Sequence, residues 1–147
     1  MEIAVLACGC FWGPEIKFSK LEGIYRTEVG YCGGNSSKTS YEEVCTGTTN
    51  HAEVVKLEFD PNKISYEKIL EFFFQIHDPT TLNSQGPDFG TQYRSEIFYL
   101  NDNQKNIAEK ITKKINDKLS GKVVTKISLL KNYCIAEEYH QKYLDKN

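Results

Sequence analysis

Apolar positions follow three rhythms along this chain. Ile3-Ala4-Val5-Leu6-Ala7 is a short unbroken apolar run and reads as a buried strand. Residues 24–31 are strand-like and end at Gly33-Gly34. Residues 53–59 alternate, with Val55, Leu57 and Phe59 on one face, and Asp60-Pro61-Asn62 supplies the turn that stops them. Two more strands are predicted over 93–100 and 123–130. Helical spacing governs 65–77, where Ser65 can cap and Ile69, Leu70, Phe72, Phe73 and Ile76 form the buried side. It governs 102–119 as well, through Ile107, Ala108, Ile111, Ile115 and Leu119. Shorter helices are predicted over 41–45, closed by Gly47, and over 136–144. Residues 35–40 and 78–90 read as loops.

Strands and helices thus alternate, yet the turns and long loops do not suit a doubly wound parallel sheet. The expected fold is α+β, a two-layer α/β sandwich with a mixed central sheet, in one domain spanning residues 1–147. No repeat or composition break marks a second domain. Lys plus Arg number 18 and Asp plus Glu 20, a formal net charge of −2, so neither nucleic acid nor an anionic membrane is an expected partner. No apolar stretch is long enough to span a bilayer, and Glu2 stands where a signal peptide would be basic. Five cysteines, an odd number without framework spacing, point to reduced thiols and a cytoplasmic location.

The chemistry concentrates in Gly9-Cys10-Phe11-Trp12-Gly13, between the first strand and a helix start marked by Pro14 and Glu15. Unpaired N–H groups and the helix dipole favour an anion there, so Cys10 is expected to be a nucleophile with a lowered pKa. The rings of Phe11 and Trp12 can wall an apolar pocket. Glu53 opens an apolar strand, where burial would raise its pKa. By themselves these residues allow plainer readings. Cys10 could be an inert core thiol, Glu53 a paired strand residue, Asp88 a turn former, and Tyr41 and Tyr93 packing residues. His51, His77 and His140 with Cys8 and Cys10 could suggest a metal, but Cys-x-Cys without a second pair is a poor zinc pattern. No metal or cofactor is expected.

Six blocks, in order, resemble the A-type peptide methionine sulfoxide reductases. They are Gly9-Cys10-Phe11-Trp12-Gly13, Gly30-Tyr31-Cys32-Gly33-Gly34, Tyr41-Glu42-Glu43-Val44-Cys45-Thr46-Gly47 with His51-Ala52-Glu53, His77-Asp78-Pro79, Asp88-Phe89-Gly90-Thr91-Gln92-Tyr93-Arg94-Ser95, and Ala136-Glu137-Glu138-Tyr139-His140. The resemblance implies a plait-like sandwich and reduction of the S epimer of methionine sulfoxide, free or in peptides, as a repair of oxidative damage. It gives Cys10 the role of nucleophile and Glu53 that of general acid. It places Tyr41 and Tyr93 on the sulfoxide oxygen, Asp88 in the same network, and Phe11 and Trp12 around the substrate methyl group. Rival readings are a cysteine hydrolase or acyltransferase, which needs a histidine base beside Cys10, and a non-catalytic binder of methionine-rich peptides.

Many relatives finish the cycle with resolving cysteines in a C-terminal tail, whereas this sequence ends at Asp145-Lys146-Asn147. Cys8, Cys32, Cys45 and Cys134 read as small hydrophobes, with Cys134 the first suspect if any of them resolves. The expectation is a one-cysteine cycle: a Cys10 sulfenic acid is reduced from outside by glutaredoxin and glutathione, with thioredoxin the less favoured partner.

Overall fold

β1, Glu2–Cys8, owes its central position to being apolar on both faces. The structure is a computed structural model and describes residues 1–146. Ala4, Leu6 and Cys8 point into the larger core, and Val5 and Ala7 into a smaller one on the opposite face. β1 therefore lies inside a six-stranded sheet of order β7-β6-β1-β3-β2-β8. In it β2 is Ile24–Cys32, β3 Ala52–Phe59, β6 Ser95–Tyr99, β7 Lys126–Leu129 and β8 Cys134–Ile135. All neighbours are antiparallel except β6 and β7, so the sheet is mixed, as expected.

The larger core lies under the helices α1 (Trp12–Ser19), α3 (Tyr66–Gln75) and α4 (Asp102–Lys118). Ser65 caps α3 by accepting from the Lys68 N–H, and Ile69, Leu70 and Phe73 are fully buried. Asn101 caps α4 by accepting from the Gln104 N–H. Gln104 itself is buried and ties α4 to the sheet, donating to the Ile3 carbonyl at 2.7 Å and accepting from the Leu100 N–H at 3.0 Å. The short helix α2 spans Tyr41–Cys45, as the sequence suggests.

Four expectations change. Tyr93 is not in a strand. It closes a 3-10 turn, Thr91–Tyr93, after Gly90 at φ 137°, and β6 begins only at Ser95. The predicted strand over 123–130 shortens to β7, because Val124 donates to the Pro79 carbonyl instead of to a strand. The loop over 78–90 contains a small hairpin, β4 (Ser84–Gln85) with β5 (Asp88–Phe89). Residues 136–144 are not one helix but a 3-10 turn, Glu138–His140, then Lys142 at φ 52°, then α5, Tyr143–Lys146.

The last of these changes has a tertiary cause. β8 pairs with β2 at Gly30 and Tyr31, and Ala136 donates to the Val29 carbonyl. The Gln141 side chain then continues the ladder, accepting from the Val29 N–H and donating to its carbonyl, both at 2.9 Å. Glu15 is buried and accepts from the Lys142 N–H at 2.6 Å and the Thr27 hydroxyl at 3.0 Å. Side chains docked on β2 and α1 thus override the helical pattern.

Phe73 packs edge-on to Phe74 and against the His77 ring at the centre of the larger core. Phe73→Ala should destabilise the fold by roughly 3–5 kcal/mol. Urea unfolding with an unchanged slope would verify this.

Candidate active site

The site gathers at one end of the sheet, where β1 ends and β3 begins. Gly9 turns the chain out of β1 at φ +92°, and a Cβ there would meet the Gln85 side chain at 2.8 Å. Gln85 is itself fixed, accepting from the Asp78 N–H and donating to the Asp78 carbonyl. The β4–β5 hairpin therefore lies on the Gly9–Cys10 turn and brings Asp88 with it.

Cys10 is half-buried, immediately before α1, whose N-cap is Phe11. The expected thiolate is not what this setting favours. The Trp12 N–H bonds the sulfur and lowers its pKa, but burial is the larger effect, and Glu53 and Asp88 add to it. Together they push the Cys10 thiol up to about 11. One helix N-terminus does not offset desolvation beside two carboxyl groups.

Glu53 lies on the helix-bearing face of β3 with Val55, Leu57 and Phe59, directly opposite Tyr31 of β2. It is 1% exposed. Its Oε1 accepts from the Phe11 N–H at 3.2 Å, while Oε2 is buried with no partner among the described residues. Burial pushes its pKa up to about 8, against the Phe11 bond, with the Asp88 charge adding to the rise. At neutral pH the group is mostly a protonated acid.

Tyr41 opens α2 and Tyr93 closes the 3-10 turn beside β3. Burial raises both phenols, Tyr93 to about 12, and the charge of Glu53 acts on each. Both hydroxyls therefore remain donors at neutral pH. Cys10, Glu53, Tyr41, Tyr93 and Asp88 thus form one electrostatic neighbourhood.

The two aromatic residues divide their positions. Phe11 is 1% exposed, packed 5.7 Å from the Tyr31 ring and 5.2 Å from His140. Trp12 is only half-buried. Its Nε1–H donates to His140 Nδ1 at 3.0 Å, and its ring stacks on Tyr143 at 3.9 Å. His140 also faces Tyr41 at 4.5 Å, and burial lowers its pKa, keeping Nδ1 free to accept. Glu137 accepts from the Tyr31 hydroxyl and from the Tyr41 backbone N–H, each at 2.8 Å. Sequence reasoning did not single out Tyr31, Gln85, Glu137 or His140 as supports of the site. The signal was that all but Gln85 lie within the matched blocks.

Comparison with known proteins now bears on this arrangement. The family profile for peptide methionine sulfoxide reductase matches residues 2–147. The chain belongs to that family. It is 79% identical over 146 residues to the peptide methionine sulfoxide reductase MsrA of Pelagibacter ubique, covering 99% of each chain. The reduced form of Mxr1 from Saccharomyces cerevisiae is similar at a TM-score of 0.95 and 45% identity, over 99% of this chain and 85% of that one. Mxr1 in complex with Trx2 is similar at a TM-score of 0.69 and 29% identity, over 97% and 84%. The reductase is an oxidoreductase acting on methionine sulfoxide, with a role in repair, and its α+β fold is that of its structural neighbours. Among the described residues of the reductase, no helix is long and apolar enough to cross a membrane.

The alkylation rate of Cys10 against pH should inflect near about 11, above the roughly 8.5 of a free cysteine. Iodoacetamide kinetics with mass-spectrometric readout of the Cys10 peptide will measure it.

Proposed function

We propose that the reductase transfers the sulfoxide oxygen to Cys10, with Glu53 as proton donor. The observation that carries this reading is the buried carboxyl of Glu53, neutral at rest and bonded to the residue next to Cys10. The Cys10 sulfur attacks the sulfoxide sulfur with its electron pair and forms an S–S bond to it. Glu53 protonates the departing oxygen while Tyr41 and Tyr93 donate to it. The thiol proton restores Glu53. The hydroxyl then passes from the substrate sulfur to the Cys10 sulfur as the S–S bond breaks and its electron pair returns to the substrate. The products are therefore the thioether and a Cys10 sulfenic acid, with no net proton gained or lost.

The methyl subsite at Trp12, the oxygen subsite at Tyr41 and Tyr93, and the attacking Cys10 define three fixed directions around a pyramidal sulfur. Such a triangle discriminates between epimers, and the family resemblance points to the S epimer. Asp88 acts in this reading through its charge, which helps keep Glu53 protonated. The hydrolase alternative gains no support, because no hydrogen bond joins a histidine to Cys10 among the described residues, although His140 Nε2 is without a partner. His51 bonds Gly34 and Ser36, His77 bonds Phe73 and Ser95, and His140 bonds Trp12.

The regenerating step needs revision. Glutaredoxin gains no support from the comparisons, whereas a relative is known in complex with Trx2. We therefore assign the step to a thioredoxin-like dithiol. One donor thiol attacks the sulfenic sulfur and releases water, and the second donor thiol resolves the mixed disulfide. Such a donor requires no second cysteine on this chain. Cys134 is badly placed to be one. It pairs with Tyr31, which pairs with Glu53 on the strand next to β1. Its thiol is engaged instead with the Thr39 and Ile135 carbonyls, at 3.8 and 3.6 Å. Cys8 and Cys32 are buried. Cys45, exposed at the end of the helix that begins with Tyr41, replaces Cys134 as the thiol to watch.

Glu53→Gln should slow the single-turnover sulfoxide step by roughly 10²–10⁴-fold while leaving substrate affinity nearly unchanged. In the wild type the same rate should hold below pH 8 and fall as Glu53 ionises through its value of about 8. A wild-type rate in Glu53→Gln would move the acid role to another group.

Oxidation with methionine sulfoxide in the absence of reductant should cost one thiol per chain and leave a dimedone adduct on Cys10. Loss of two thiols with a Cys10–Cys45 disulfide after digestion would replace the one-cysteine cycle. Turnover with thioredoxin should exceed that with glutaredoxin and glutathione, and the reverse order would return the step to glutaredoxin.

A further inference from the structure

Arg94 is the most heavily engaged charged side chain near the site that the reaction does not use. It directly follows Tyr93, and only 11% of its side chain is exposed. Nε bonds Glu96 Oε1 at 2.6 Å, one guanidinium nitrogen donates to the Thr91 carbonyl at 2.8 Å, and the other to the Asn50 carbonyl at 2.9 Å. Glu96 is held in turn by the Ser128 hydroxyl at 2.5 Å. The three contacts go to three different segments. Thr91 begins the turn that carries Tyr93. Asn50, at φ 60°, lies three residues before Glu53. Glu96 is inside β6, which runs antiparallel to β1.

The neighbouring chain makes room for this head group. Gly33, at φ +83°, has no side chain, and a Cβ there would meet the guanidinium at 3.2 Å and the Phe98 ring at 2.7 Å. The following residue, Ser95, is fixed by His77 and Thr125 at 2.7 Å each, so the backbone on the C-terminal side of Arg94 cannot drift. What remains to be held is the turn on its N-terminal side, and among the described residues it is the guanidinium fork that hydrogen-bonds both this turn and the segment entering β3.

We propose that Arg94 is a positioning residue that sets the Tyr93 hydroxyl relative to Glu53 by clamping the Thr91 and Asn50 carbonyls together. The inference rests on the reading that Tyr93 donates to the sulfoxide oxygen. A planar fork is needed, because a lysine ammonium in this space keeps the charge pair with Glu96 but does not reach both carbonyls in fixed geometry. Displacing a donor by about 1 Å costs up to about 10²-fold in rate. The cost should fall on kcat, since the donor matters most as charge moves onto oxygen.

The test is a double-mutant cycle on the single-turnover sulfoxide step, using Arg94→Lys, Tyr93→Phe and the double variant. Arg94→Lys alone should lose about 10- to 100-fold with KM nearly unchanged. In the Tyr93→Phe background the same change should cost less than about twofold, because the group it positions is gone. Equal losses in both backgrounds, with Tyr93→Phe itself slow, would overturn the positioning role and leave the Tyr93 reading intact. A Tyr93→Phe variant at wild-type rate would overturn both. If Arg94→Lys fails to fold, the paired change Arg94→Met with Glu96→Met removes both charges and leaves neither buried alone. Folded and equally slow, it supports the clamp, and folded at wild-type rate, it refutes it.

Discussion

A carboxyl group kept out of water at the open end of a sheet is the constraint around which the other parts of this molecule are arranged. Glu53 occupies a position that the alternation of β3 assigns to the core, in line with Val55, Leu57 and Phe59. An ionised carboxylate there would cost several kcal/mol, so the group takes its proton instead. It stays tolerable because one oxygen finds an N–H that has no partner in the helix. Phe11 is the N-cap of α1, and its amide is one of the donors every helix start leaves open. The same residue thus buries its ring beneath the site and anchors the acid with its backbone. Changing the acid to an apolar residue would ease the burial and, in the proposed reaction, remove the proton donor, a conflict expected where function overrides packing.

The C-terminal segment contributes by side chains rather than by an element of its own. Gln141 extends the β2 ladder, Glu137 binds Tyr31 and Tyr41, and His140 holds the Trp12 indole. Glu15, buried in α1, accepts from this segment's backbone at Lys142. The half-buried Trp12 ring therefore has a fixed plane, because Tyr143 stacks on it and His140 accepts from its N–H. The orientation of the Trp12 ring follows from contacts made at residues 137–143, more than a hundred positions away in sequence.

The strong periodicities were legible. The apolar run of β1, the alternation of β3 and the spacing of α3 and α4 appear where they were read, because burial on a sheet or a helix face leaves a period in the sequence. The Cys10 turn, Glu53 and the two tyrosines were legible as motif blocks, and the fold brings them together. Where the reading departed, a long-range contact decided. The pattern over 136–144 is helical in isolation, but β2 offers open ladder positions at Val29 that Ala136 and Gln141 satisfy, and β8 forms there as well. Tyr93 reads as strand, yet Gly90 and the Arg94 clamp wind it into a turn. The titration of Cys10 was misread for a related reason. The helix start is local and visible, while the burial and the two carboxyls that outweigh it come from β3 and from a hairpin the sequence did not disclose.

That reversal bears on how the site works at rest. A thiol near 11 and a carboxyl near 8 are both neutral at ordinary pH, so the unengaged site carries little thiolate. The reaction balances from this state, since one neutral thiol and one neutral acid supply what a sulfoxide needs and regain the same number of protons. In the proposed reaction, thiolate character arises as the sulfoxide oxygen takes the proton of Glu53 and the carboxylate left behind accepts that of Cys10. Coupling the two transfers ties nucleophile activation to the presence of substrate. It also bears on durability. Peroxide oxidises thiolates far faster than thiols, and an enzyme for oxidative damage works where peroxide is present. A permanently ionised Cys10 would be exposed to that attack between turnovers. Burial beside Glu53 and Asp88 keeps it protonated at rest.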